Sequence, residues 1–154
     1  MTAAEIVAQY YDGWQNRQGD LSVVPLADDF QFTGPVASFD TAEGYRAMAR
    51  EAGQAVTSFT VRRQFVDGNQ VCSIIDWEMG IPGVGRMTSA ELLEVEDGMI
   101  VRGELIYDAE ALRRAMAREA GQAVTSFAVR RQFEDGNQVC SIIDWEMGIP
   151  GWGG

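Results

Sequence analysis

Two carboxylic acids and a phenol are the groups best placed to move protons in a chain that has no histidine. Asp76 lies in a strand-like run over about 70–79. A two-residue turn around Asp67-Gly68 pairs odd positions of the preceding strand, about 57–66, with even positions of that run. This register predicts a shared inner face of Phe59, Val61, Arg63 and Phe65 with Cys72, Ile74, Asp76 and Glu78. A carboxylate among apolar side chains has its pKa raised by desolvation toward the range of a general base. Glu91 lies on a further strand, about 86–95. A three-residue turn with Gly98 left-handed aligns Met87, Ser89, Glu91, Leu93 and Val95 with Val101, Gly103, Leu105 and Tyr107. Two carboxyls within about 5 Å repel, leaving a protonated donor beside an ionised base, which is what enolisation requires. Tyr10 is a buried helix position whose hydroxyl needs a partner. Each group also has a plainer reading: Asp76 paired with Arg63 or exposed at a strand end, Glu91 in a salt bridge, Tyr10 in core packing.

The elements that must position these groups follow from periodicity. Thr2, with Glu5 three residues on, forms a capping box ahead of Ile6, Val7, Tyr10 and Trp14 at helical spacing. Gly19-Asp20 ends that helix and opens a short second one through Leu26. A brief strand follows at Phe30-Gln31-Phe32 before the Gly34-Pro35 break. Asp40 or Thr41 caps a helix over about 41–53, and the four-strand meander then runs to about 107. Helices followed by long antiparallel strands predict an α+β domain with helices on one face of a curved sheet. Tyr11 is expected to point elsewhere and be partly exposed. Ile75 and Trp77 are expected on the outer sheet face, where their cost in water suggests a dimer contact.

Residues 46–83 recur at 114–151, with thirty-six of thirty-eight positions identical and only Thr60/Ala128 and Val66/Glu134 differing. Two near-identical copies are not a solenoid. The chain therefore reads as a domain over 1–112 and an appended helix–hairpin duplicate over 113–154. Cys72 and Cys140 are one residue and its copy, so neither a disulfide framework nor a metal pattern exists. Asp144 duplicates Asp76 with no copy of Tyr10 or Glu91 beside it, so no second active site is expected.

A net charge of −11 argues against nucleic acid or anionic membrane as partner. The absence of histidine removes the commonest metal ligand, so no metal and no cofactor are expected. The segment "GIPGVG" lacks the strand–helix context of a dinucleotide site. Residues 1–17 lack the apolar core of a signal peptide, and no run approaches the roughly 20 apolar residues of a membrane span. A reducing cytoplasmic location fits these features.

The strings "AQYYDGWQNRQGD", "LADDF" and "VEDGMIVRGELIYD", in that order, resemble the nuclear-transport-factor-2-like superfamily. Within it the chain is most similar to SnoaL-like polyketide cyclases, including those encoded by mobile gene cassettes. Ketosteroid isomerases and limonene epoxide hydrolases are more distant cousins. The resemblance spans residues 1 to about 112. It implies a cone-shaped α+β barrel around an apolar pocket, often dimeric through the outer sheet face. It also implies that Tyr10 matches an oxyanion-stabilising tyrosine and Glu91 its partner acid, while the isomerase base falls on Gly34. The epoxide hydrolase aspartate matches Asp76, but its arginine and second aspartate fall on Ile74 and Leu105.

Together these readings predict a cofactor-independent enzyme for a small apolar carbonyl or polyketide-like compound, a cyclase or isomerase, or a hydrolase if Asp76 activates water. The catalytic set is Asp76, Glu91 and Tyr10. The pocket is expected to draw on Trp14, Phe32, Met48, Phe59, Arg63, Ile74, Met87, Leu105 and Tyr107. The competing class is a non-catalytic binder of a small hydrophobic molecule, or a dimerisation scaffold; a homodimer is expected in either case.

Overall fold

The computed structural model describes residues 1–135 and 138–147, with side chains through Glu119 and at Ser141. The chain divides into two units, Met1–Leu112 and Arg113–Gly154. In the first, helix α1 (Ala3–Asn16) opens with the expected capping box: the Thr2 hydroxyl accepts from Glu5 N at 3.2 Å, and Glu5 Oε2 accepts from Thr2 N at 2.7 Å. Its inward stripe is Ile6, Val7, Tyr10 and Tyr11. Tyr11 is therefore buried rather than partly exposed, because the helix wedges both tyrosines against the sheet.

The short second helix is not formed. Residues 22–24 make a turn, and β1 (Leu26–Thr33) starts four residues before Phe30. Pro25 has no N–H to continue a helix and biases Val24 away from the helical region. The carbonyls that a helix would have used are bound instead by the Arg46 guanidinium, to Leu21 O at 3.2 Å and Val24 O at 2.8 Å. Arg46 belongs to α2 (Ala42–Gly53), capped by Thr41 after the two-residue β2 (Ser38–Phe39). Gly19, at φ +82°, and Gly53 let the end of α1 meet the end of α2, since a Cβ on either would overlap the other's backbone.

Strands β3 (Val56–Asp67), β4 (Gln70–Met79), β5 (Gly85–Glu96) and β6 (Met99–Tyr107) complete a six-stranded sheet in the order β2-β1-β6-β5-β4-β3. All neighbours are antiparallel except β1 and β6. The curved sheet is open, ending at β2 and β3, rather than closed into a barrel. Helix α1 crosses β3 to β6 and α2 lies on β1 and β2, so one face carries the core and the other faces solvent.

Register decides which side chains meet that core. The Asp67–Gln70 pair confirms the two-residue turn, with Gly68 at φ +60°. The pairing then slips between Val61 and Arg63, where one extra residue bulges out of β3. Beyond the bulge Phe59 faces Trp77 and Val61 faces Ile75. A one-residue slip exchanges the two faces of a strand. The expected inner set of β4 (Cys72, Ile74, Asp76) is thus on the outer face, and the expected outer pair, Ile75 and Trp77, is inside. Arg63 and Phe65 are outside as well. Between β5 and β6 the expected faces hold near Glu91, but by another route: Asp97 (φ 51°) and Gly98 (φ 76°) form a two-residue turn, and a bulge at Val101 restores the parity.

After β6, α3 (Glu110–Ala123) begins at the end of the first unit and leads to β7 (Val124–Asp135) and β8 (Gln138–Met147) of the second, a two-stranded sheet. The expectations for Cys140 and Asp144 concern side chains outside the described residues. Among the described residues no helix is long and apolar enough to cross a membrane.

Candidate active site

A cavity of about 150 Å³ lies between the helices and the inner sheet face of the first unit. Helix α1 supplies Tyr10 and Trp14, one turn apart, and α2 supplies Tyr45 and Met48. From the sheet come Phe32 on β1, Phe59 on β3, Ile75 and Trp77 on β4, Ser89 and Glu91 on β5, and Leu105 and Tyr107 on β6. The segment Gly34–Ala37 lies at the rim, where the isomerase base would have been. The walls are almost wholly apolar, which makes the few polar groups conspicuous.

Glu91 is the central one. Inward alternation on β5 and pairing with Ser73 and Leu105 leave it 3% exposed. Tyr10 donates to its Oε2 at 2.9 Å, and the Tyr10 and Tyr45 hydroxyls share a short hydrogen bond. Burial pushes the Glu91 carboxyl up to about 7, with the Tyr10 and Tyr11 hydroxyls pulling it partly back. The Tyr10 and Tyr45 phenols are pushed well above their ordinary range, first by burial and next by the Glu91 charge. Both therefore stay protonated donors. The Tyr11 hydroxyl lies buried near Ser73 and Glu91 without a well-formed hydrogen bond among the described residues. The Trp77 Nε1–H is likewise buried, with no acceptor among the described residues.

Of the expected catalytic trio, the structure brings Tyr10 and Glu91 together and leaves Asp76 apart. Asp76 sits on the outer face, ion-paired to Arg62 Nε at 3.0 Å and accepting from Thr88 Oγ1 at 2.8 Å. Of the expected pocket residues, Trp14, Phe32, Met48, Phe59, Leu105 and Tyr107 line the cavity. Three do not. The Arg63 guanidinium stacks 4.6 Å over Phe65 outside, and Ile74 pairs with Ala90 on the same outer face. Met87 borders the polar surface cleft of Arg62, Asp76 and Arg86. Tyr45 and Trp77 were missed. Tyr45 falls one helical turn before Met48 and Ala49, a spacing that marks it inward. Trp77 was hidden by the β3 bulge. Among the described residues no cluster of three or more His, Cys, Asp or Glu could hold a metal.

Helices on an open curved sheet around such a cavity define the nuclear-transport-factor-2-like fold, and solved structures agree. An NTF2-like protein of unknown function from Cytophaga hutchinsonii ATCC 33406 superposes with a TM-score of 0.64 at 22% identity, over 73% of this chain and 96% of that one. A protein assigned as a SnoaL-like polyketide cyclase from Jannaschia sp. CCS1 gives 0.61 at 16%, over 75% and 91%. A protein with a ketosteroid isomerase-like fold from Catenulispora acidiphila DSM 44928, solved with trimethylamine, gives 0.60 at 15%, over 73% and 92%. Among curated proteins none matches. The SnoaL-like domain model matches residues 7–103, and the chain belongs to that family.

Proposed function

We propose that the first unit is a cofactor-independent acid–base enzyme for a small apolar carbonyl compound, with Glu91 as the group that moves the proton. One observation carries this reading: a carboxyl on the wall of an apolar cavity, held by Tyr10 and pushed by burial up to about 7. A base is most effective when its pKa lies near the working pH. Ionised Glu91 takes the proton from the carbon next to a carbonyl, and the C–H electron pair enters the enolate. The proton then returns to the same or another carbon, so the step needs no oxidant and no second reactant. Tyr10 holds the carboxylate and Tyr45 donates to the Tyr10 hydroxyl in turn, while the Ser89 hydroxyl is a lining donor for a carbonyl oxygen. This is isomerase-type or cyclase-type chemistry. Asp76, outside the cavity, has no part in it, and the hydrolase variant that relied on Asp76 goes with it.

Proton exchange tests the proposal without knowledge of the substrate. In D₂O at pH 8, α-deuteration of small cyclic ketones should be accelerated by the protein, and Glu91→Gln should lower that acceleration by roughly 100-fold or more. Exchange no faster than in buffer, or equal in both proteins, overturns it.

A binding protein without catalysis is the second reading, favoured by the presence of one carboxyl in the cavity where two were expected. In either case we read the outer sheet face as the seat of a second copy. Ile74, Ala90 and Ile106 pair in one row, next to Phe65, Cys72 and Leu92, and Phe65 and Ile106 are 48% and 59% exposed.

A further inference from the structure

The composition of the cavity wall points to a second class of ligand besides the carbonyl compound. Glu91 faces Tyr10 and Tyr11 from α1, Tyr45 from α2 and Ser73 from β4, and Tyr107 of the neighbouring strand β6 lines the same cavity. None of these is cationic. The chain has no lysine and no histidine, and among the described residues no arginine lines the cavity. A buried carboxylate is ordinarily paired; here the described residues around it supply hydroxyls but no counter-charge. Around it stand the rings of Trp14, Phe59, Trp77 and Tyr107, from four different elements. Ring faces carry negative potential and attract a desolvated cation.

Resting on the reading of this cavity as the ligand site, we propose that it accepts a small alkylated ammonium ion, seated between the aromatic walls with its charge against Glu91. Alkylation matters because the wall offers few acceptors for N–H groups. Methyl groups spread the charge over C–H edges that ring faces can serve, whereas a primary ammonium would leave donors unmatched. The volume suits a compound of roughly benzene size. The net charge of −11 would draw such a cation toward the molecule. Since Glu91 must be ionised to pair, the complex forms above the pH at which the carboxyl releases its proton and weakens below it.

Calorimetry on the full chain tests this with tetramethylammonium chloride and, as a neutral probe of similar shape, tert-butanol. Tetramethylammonium should bind at least about tenfold more tightly at pH 8.5 than at pH 5.5, and Glu91→Gln should remove that difference. Binding of tert-butanol should change little with pH or with the substitution. Should Glu91→Gln fail to fold, the pH contrast between the two probes on the unaltered protein decides the matter. Tetramethylammonium that binds no better than tert-butanol at pH 8.5, with tert-butanol still bound, overturns the ammonium class and leaves the cavity reading intact. If neither probe binds, nor shifts the tryptophan fluorescence, the cavity itself is not the ligand site.

Discussion

The two copies of the repeated segment share thirty-six of thirty-eight residues and end in different circumstances. Locally they agree closely. The β7–β8 hairpin has the same pairings as β3–β4, including the slips at Val124/Ser126 and Val129/Arg131 that correspond to Val56/Ser58 and Val61/Arg63. The bulge is therefore a property of the hairpin's own sequence, reproduced without β5 alongside. Among the described residues it is the first copy that lines the cavity, because its inner residues meet α1 and β5, and Tyr10 and Glu91 have no counterpart in the repeat. Just before the repeat, Tyr45 of the first copy corresponds to Arg113. A near-identical hairpin thus encodes its own shape but not a site.

Matched substitutions sharpen that contrast most strongly. Ile75, 1% exposed in the core, should cost about 2–5 kcal/mol when changed to Ala, read as a lowered urea midpoint of the main unfolding transition. The same change at Ile143 should leave that transition within about 0.5 kcal/mol. Equal effects would show that the copies share one cooperative core.

Titration is the next test. Glu91 has an ordinary value of 4.5 and a folded value of about 7. Between these the folded domain keeps a proton that the unfolded chain has released. Stability thus falls as pH rises through this window, by up to about 3 kcal/mol. Urea unfolding at pH 5 and pH 8 should show the decline in the unaltered protein and a markedly flatter profile in Glu91→Gln. Parallel profiles would mean that Glu91 is not desolvated.

The smallest effect is expected at Asp76. Its ion pair with Arg62 is half in solvent, so Asp76→Asn should cost no more than about 1 kcal/mol and leave α-proton exchange unchanged. Loss of exchange in that variant would restore Asp76 to the chemistry and count against the outer placement.

Much of this was legible beforehand, with instructive exceptions. The Thr2 cap, the long antiparallel strands and the inward Glu91 follow from spacing alone. Asp76 faces outward because the slip between Val61 and Arg63 ends the register that the turn sets for the start of the hairpin. Composition points the same way: Ile75 and Trp77 against Asp76 and Glu78 is the burial order expected of apolar against charged groups. The absent helix at 20–26 failed for a similar reason, since Arg46, far along the chain, satisfied the carbonyls that a helix would have used.

The sequence by itself determined the family, the order of elements, the duplication and the shortage of titratable groups, because these depend on local propensity and composition. Tertiary structure decided which carboxyl is buried and which is ion-paired in water. A strand's facing is fixed by its pairing over the full length, where a single bulged residue reverses it. The value near 7 at Glu91 exists only because α1 and β5 together shut out solvent.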